Sequence, residues 1–236
     1  MKYMETGPET YKQLTDEQIK IVESIAKKTV ELVKPYDYIL VSGRSRSLSR
    51  TLLLASGIDP KKIVSINAYT NASLYKTKQT NNTTHEQRVG MFRNFLEKSG
   101  VKLPASICVV DDLSRSGTKA MSYLVIMNGI RELSSFRYVT LTLSKDFEEL
   151  RKRLEALYGD YFPNYFYNAS NLLSAEEQLK AYQLFDEIAY LLDVTHQEYN
   201  SGITESNKQG DEKEKRVARD ALHQLYLVIK NKMSRT

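Results

Sequence analysis

The stretch that decides the fold is Ile107-Cys108-Val109-Val110-Asp111-Asp112-Leu113-Ser114-Arg115-Ser116-Gly117-Thr118. Its first four residues are apolar, which is typical of a strand that is buried on both faces. Two acids end this apolar run, and a loop of small hydroxyl residues with one glycine then leads into a helical pattern. A buried strand that ends in polar residues before a helix is the repeating unit of parallel α/β sheets.

Strands and helices alternate on both sides of this stretch. Short apolar runs predict strands at 38–41, 62–66, 106–110 and 136–143. Helical spacing of apolar residues predicts helices at 15–34, 48–55, 84–98, 116–128 and 145–158. This alternation predicts an α/β fold, in which helices flank a parallel sheet on both faces.

The chain divides by composition into three parts: an N-terminal arm and helix (1–35), an α/β core (36–158), and an aromatic segment with a helical C-terminal extension (159–236). In the last part, the aromatic run 161–167 precedes a helix that begins at Ser174. A polar linker at 200–210 then leads to a final helix at 211–233. Helix pairs of this kind cap a sheet domain or form the seam of a homodimer.

The bulk composition excludes several classes of protein. Of the 236 residues, 41% are hydrophobic and 27% are charged, as in ordinary globular proteins. A single cysteine, Cys108, cannot form an intrachain disulfide, and no Cys/His cluster has the spacing of a zinc site. No apolar run approaches the ~18 residues of a membrane span, and the charged N-terminus lacks the core of a signal peptide. We therefore expect a cytoplasmic protein without a membrane partner.

The charge balance indicates an anionic small ligand. The formal net charge is +5, which suits a phosphate ester or a diphosphate. Because 34 basic residues are mixed with 29 acidic ones, we expect nucleic acid not to be the partner. Neither a P-loop nor a Gly-x-Gly-x-x-Gly pattern occurs, so the common nucleotide-binding motifs are excluded.

Three polar loops, at 42–47, 67–84 and 111–118, follow predicted strands and are therefore expected at one edge of the sheet. The carboxylates of Asp111 and Asp112 can accept hydrogen bonds from ribose hydroxyls or help to hold magnesium. Hydroxyl groups and backbone N–H groups at the start of the next helix form a cradle for a phosphate. The alternative is a purely structural role, in which the two acids cap that helix or pair with surface lysines.

These residues resemble the phosphoribosyl diphosphate motif of type I phosphoribosyltransferases. In that motif, an apolar strand is followed by two acids, an apolar residue, and a Thr/Ser-Gly loop that opens a helix. Upstream, Ile39-Leu40-Val41-Ser42-Gly43-Arg44-Ser45-Arg46-Ser47-Leu48 is similar to the family's diphosphate loop. The resemblance covers roughly residues 36–144 and implies a phosphoribosyltransferase-like sheet flanked by helices.

The resemblance also implies a set of site residues. Asp111 and Asp112 would hold the ribose and Mg²⁺. Lys76, or alternatively Lys78, would join them in catalysis when the loop 67–84 closes. The residues that would bind the phosphoribosyl group are Ser114, Arg115, Ser116, Gly117 and Thr118. The residues that would bind the diphosphate are Ser42, Gly43, Arg44, Ser45 and Arg46. The implied reaction transfers phosphoribose from phosphoribosyl diphosphate to a base-like acceptor.

The sequence departs from the family pattern at three places. Thr118 and Lys119 stand in the reverse of the usual order, Arg115 replaces a common acid, and Ser47 replaces a common glycine. Two functions therefore stay open at this point. One is a phosphoribosyltransferase, and the other is a non-catalytic regulator or sensor that binds a phosphorylated metabolite.

Overall fold

The computed structural model describes residues 12–42, 46–66, 84–114, 118–143, 152, 155–156, 165–200 and 212–234. Within these residues, one parallel sheet has the strand order β2-β1-β3-β4-β5. The strands are β1 (Tyr38–Ser42), β2 (Ile63–Ser65), β3 (Ala105–Ser114), β4 (Leu133–Leu143) and β5 (Phe166–Asn168). The predicted α/β architecture, a parallel sheet flanked by helices, is confirmed.

The described helices begin where the sequence provides caps. They are α1 (Asp16–Val33), α2 (Arg46–Ala55), α3 (His85–Lys98), α4 (Thr118–Asn128), α5 (Ala175–Asn200) and α6 (Glu212–Met233). Thr15 and Gln18 form a reciprocal capping box before α1, and Thr84 and Gln87 form another before α3. These boxes satisfy backbone N–H groups that have no partner inside the helix, so they fix where each helix starts.

Alternate residues of the central strands pack against different helices. Ile39, Val41, Cys108 and Val110 lie in one cluster, which also contains side chains of α1, α2, α5 and α6. Leu40, Ile107 and Val109 lie in a second cluster with side chains of α3 and α4. Because both faces are covered, the strands must be apolar at successive positions, and this explains their continuous hydrophobic runs.

The aromatic segment contributes a strand that the sequence did not predict. Phe166 pairs with Tyr138 of β4, so β5 extends the sheet at its edge. Tyr165 stacks on Phe136 with ring centroids 4.7 Å apart, and the ring of Tyr167 lies 4.2 Å from the guanidinium of Arg137. These three aromatic side chains are therefore held by β4. Helix α5 packs against β4 and against α6.

β3 extends four residues beyond the predicted apolar strand, which we expected to end at Val110. Asp111 pairs with Thr140 and Ser114 with Leu143, so the long β4 provides a partner for this polar extension. Backbone pairing compensates for side chains that do not favour a strand. The predicted helix at 145–158 and the predicted loop at 67–84 lie largely outside the described residues.

Gly129 follows α4 at a point where two helices approach closely. A Cβ atom at Gly129 would lie 2.5 Å from Cγ2 of Val89 and 3.2 Å from Nε2 of His85, both on α3. Gly129 is not among the described glycines with a positive φ angle, which are Gly57 and Gly100, so a left-handed backbone does not explain it. The close approach of α3 and α4 is therefore the reason for glycine at this position.

We predict that Gly129→Ala lowers the free energy of unfolding by about 1–3 kcal/mol, because stiff Val89 must move to admit the new methyl group. Gly90→Ala is the matched control, since a Cβ atom there meets nothing within 4 Å. In the middle of α3, that change should stabilise the protein by roughly 0.5–1 kcal/mol. Urea denaturation of both variants measures the difference. Equal stabilities would show that α3 and α4 are not in close contact.

Candidate functional site

A row of buried polar residues crosses the sheet near the carboxyl ends of its strands. Ser42 pairs with Asp111, Asp111 with Thr140, and Thr140 with Asn168. All four are buried. Since Ser42 is the last residue of β1, the two segments that follow β1 and β3 leave the sheet at the same edge, as the sequence predicted. This edge is the candidate site.

Asp111 is a buried carboxylate at this edge. It is only 1% exposed, and each of its oxygens has a partner. Nζ of Lys119 donates to Oδ1 at 2.6 Å, and the hydroxyl of Tyr138 donates to Oδ2 at 2.6 Å. A buried carboxylate requires such partners, because removing an ionised group from water is costly unless it is paired and hydrogen-bonded.

Tyr138 supports this carboxylate as a neutral donor. Burial, and next the negative charge of Asp111, raise the pKa of Tyr138 well above its usual value. Its ring stacks on Phe166 at 5.8 Å and contacts the ring of Tyr123 at 5.9 Å. The hydroxyl of Tyr123 in turn forms a 2.8 Å hydrogen bond with the hydroxyl of Ser42. Polar and aromatic contacts thus connect the ends of β1, β3 and β4 to helix α4.

Asp112 faces the other side of the sheet. Successive strand residues point to opposite faces, so Asp112 shares the face of Val110 and Cys108, whereas Asp111 shares the face of Val109. Asp112 is 4% exposed, and its backbone carbonyl accepts a 3.4 Å hydrogen bond from Thr142. The two adjacent acids therefore diverge.

This divergence bears on the magnesium site that the resemblance implies. Both oxygens of Asp111 already accept hydrogen bonds, and Asp112 lies on the opposite face. In the described part of the chain, no group of three or more His, Cys, Asp or Glu side chains is arranged to hold a metal. The described residues do not fit a magnesium ion that both carboxylates hold together.

The other predicted site residues fall into three groups. Ser42 is buried with its hydroxyl bonded to Tyr123, so it contributes to the polar contacts at the edge. Ser114 ends β3, while Arg46 and Thr118 are the first residues of α2 and α4. Seven lie outside the described residues: Gly43, Arg44, Ser45, Lys76, Arg115, Ser116 and Gly117. The ligand roles assigned to all of these residues stay predictions.

Sequence reasoning did not assign a role to Lys119, Tyr123 or Tyr138. For Lys119 a signal was present, because a cation in the first turn of a helix opposes the helix dipole and needs a compensating partner. That partner is Asp111. No comparable signal marks the two tyrosines, since an aromatic residue at a helix or strand position is usually part of the core.

A second polar feature lies at the opposite, amino edge of the sheet. A cleft of about 430 Å³ is lined by Asp37, Tyr38, Lys61, Lys62, Lys102, Pro104 and Ala105. The backbone N–H and hydroxyl of Ser106 both donate to Asp37 at 2.8 Å, and these bonds lower the pKa of that carboxyl. Lys62 donates to the backbone carbonyl of Tyr36 at 3.0 Å. The sequence did not predict this basic cleft.

No protein-family model matches the chain, and searches of curated proteins and of solved structures find no match either. Among the helices that the structure describes, none is long and apolar enough to cross a membrane.

We predict that Tyr138→Phe lowers the free energy of unfolding by about 1.5–3 kcal/mol, because a buried charged oxygen loses its donor. Tyr226→Phe is the control, since the ring of half-buried Tyr226 contacts Lys230 and its hydroxyl carries no comparable bond in the described chain. Chemical denaturation measures both changes. If Tyr138→Phe loses no more free energy of unfolding than the control, the hydrogen bond to Asp111 does not contribute to stability.

We also predict that stability falls as the pH rises above about 9. Burial raises the pKa of Cys108 above its ordinary value of 9.0, so the native thiol keeps a proton that the unfolded chain releases. The unfolded state then binds fewer protons than the native state. For one such group, the free energy of unfolding therefore falls by up to about 1.4 kcal/mol with each pH unit. Denaturation curves between pH 7 and 10.5 should show a shallower alkaline loss for Cys108→Ala. Parallel curves for the two proteins would contradict the prediction.

Proposed function

We propose that this protein binds phosphoribosyl diphosphate, or a closely related sugar phosphate, at the carboxyl edge of its sheet. The observation that carries the proposal is the pairing of Ser42 with Asp111. It brings the ends of the two strands that carry the phosphoribosyltransferase-like motifs side by side. In an open parallel sheet, ligands bind beyond the carboxyl ends of the strands.

The helices that begin at this edge favour an anionic ligand. α2 starts at Arg46, four residues after the end of β1, and α4 starts at Thr118, four residues after the end of β3. Both helix N-termini therefore lie at the same edge as Ser42 and Asp111. Backbone N–H groups and the positive end of the helix dipole attract phosphate groups at such positions.

Within this proposal, the reaction is transfer of phosphoribose to a base-like acceptor, whose chemistry is unassigned. The three aromatic residues of the segment 165–167 contact β4 side chains, so they offer no separate evidence for an acceptor base. Location in the cytoplasm and formation of a homodimer also stay predictions.

A second candidate function is a regulator or sensor that binds the same ligand without turnover. The surroundings of Asp111 favour the sensor. This carboxylate is 1% exposed and already bonded to Lys119 and Tyr138, so it is part of the protein interior. Release of diphosphate in the presence of a panel of nucleobases separates the transferase from the sensor.

Calorimetric titration with phosphoribosyl diphosphate tests the binding proposal. We predict that the full ligand binds at least tenfold more tightly than inorganic phosphate, because it contacts both motifs at once. Asp112→Asn tests the ribose contact that the resemblance implies, and loss of that charge-assisted hydrogen bond should weaken binding about 10- to 100-fold. Glu86→Gln, an exposed change in the first turn of α3, is the control and should bind as the wild type does. Equal affinity for phosphoribosyl diphosphate and inorganic phosphate would refute the proposal.

A further inference from the structure

The ion pair between Lys119 and Asp111 is asymmetric in its exposure. The side chain of Asp111 is 1% exposed, whereas that of Lys119 is 36% exposed. The carboxylate is thus part of the interior, while the ammonium group remains accessible to solvent. Among the described residues, Asp111 is the one acceptor within hydrogen-bond distance of this ammonium. An ammonium has three N–H donors, so two have no acceptor among the described residues and can contact a ligand.

The position of Lys119 places this cation at the candidate site. It is the second residue of α4, the helix that starts at the carboxyl edge. A lysine in the first turn reduces helix stability, so the position has a cost that the bond to Asp111 offsets. Tyr138 occupies the other oxygen of Asp111 and fixes the orientation of the carboxylate. The anchor is therefore rigid, and the cation is held next to the helix N-terminus.

We propose that Lys119 provides the positive charge that binds the phosphate group of the ligand, and that this binding does not require magnesium. The inference rests on the proposed function and specifies how the charge of that ligand is neutralised. Asp111 and Tyr138 are then positioning residues, since they act through Lys119. A magnesium ion at Asp111 would have to displace Lys119 from a carboxylate whose two oxygens already have partners.

An alternative explanation is that the pair only stabilises the fold. Both explanations predict a loss of stability when one partner is removed, so stability does not distinguish them. They differ in ligand binding. A cation that contacts phosphate affects affinity for phosphoribosyl diphosphate in the absence of metal, whereas a purely structural pair does not.

The first experiment measures the affinity of the wild-type protein for phosphoribosyl diphosphate by calorimetry, in excess Mg²⁺ and in EDTA. We expect the two dissociation constants to agree within about threefold. Affinity that falls more than tenfold in EDTA would overturn the inference and leave the proposed function intact. Absence of binding in both conditions would refute the proposed function itself.

The second experiment uses variants in EDTA. Lys119→Gln combined with Asp111→Asn removes the cation without leaving a buried unpaired charge, and it should weaken binding about tenfold or more. Lys119→Arg keeps the charge and should retain most of the affinity. Lys102→Gln, which removes a lysine from the basic cleft at the amino edge, is the matched control and should bind as the wild type does.

Circular dichroism and melting curves verify that each variant is folded before its affinity is interpreted. If the double variant does not fold, the comparison of wild-type affinity in Mg²⁺ and in EDTA still tests the inference. Wild-type affinity in a folded double variant would overturn the inference. Loss of affinity in Lys102→Gln alone would also overturn it, and would place the anion site in the cleft at the amino edge.

Discussion

The carboxylate of Asp111 is the constraint on which the carboxyl edge of the sheet depends. It lies in the middle strand, and its two partners come from α4 and from β4. A buried charge with fewer partners is strongly destabilising, so both Lys119 and Tyr138 are required once Asp111 is present. These bonds fix α4 against β3 and β4, and through Tyr123 and Ser42 they extend to β1. Contacts within the protein therefore define the geometry of the described part of this edge.

The same constraint explains why the two faces of the sheet differ at this edge. Ser42, Asp111 and Thr140 form a polar row, with α4 against one face of the sheet. The other face is covered by α1, α2, α5 and α6, and its strand positions are mostly apolar. Asp112 is the exception, a buried acid on the apolar side. The strand pleat thus separates two neighbouring acids, one into a network with α4 and the other away from it.

Much of this fold follows from the sequence, because the middle residues of β1 and β3 are apolar and helices α1 and α3 begin at capping boxes. Apolar periodicity located β1 and β3, and the helices predicted at 15–34 and 84–98 correspond to α1 and α3. β5 was missed because three residues carry little periodic signal, and its pairing with Tyr138 is a long-range contact. The bonds of Asp111 were not predictable for the same reason. Lys119 is eight residues away and Tyr138 is 27 residues away, so only the folded sheet brings them together.

Asp111 and Asp112 are neighbours in the sequence, but their side chains lie on opposite faces of the sheet. An Asp-Asp pair read from sequence suggests two equivalent ligands, but strand geometry gives the two side chains different environments. In this protein Asp111 has an internal cation and a neutral tyrosine as partners, so its charge is already balanced by the protein. A site whose first acid is neutralised in this way attracts an anion more strongly than a site with two free carboxylates. This charge balance supports the proposal that protein donors recognise a phosphate, whereas transfer also depends on the acceptor.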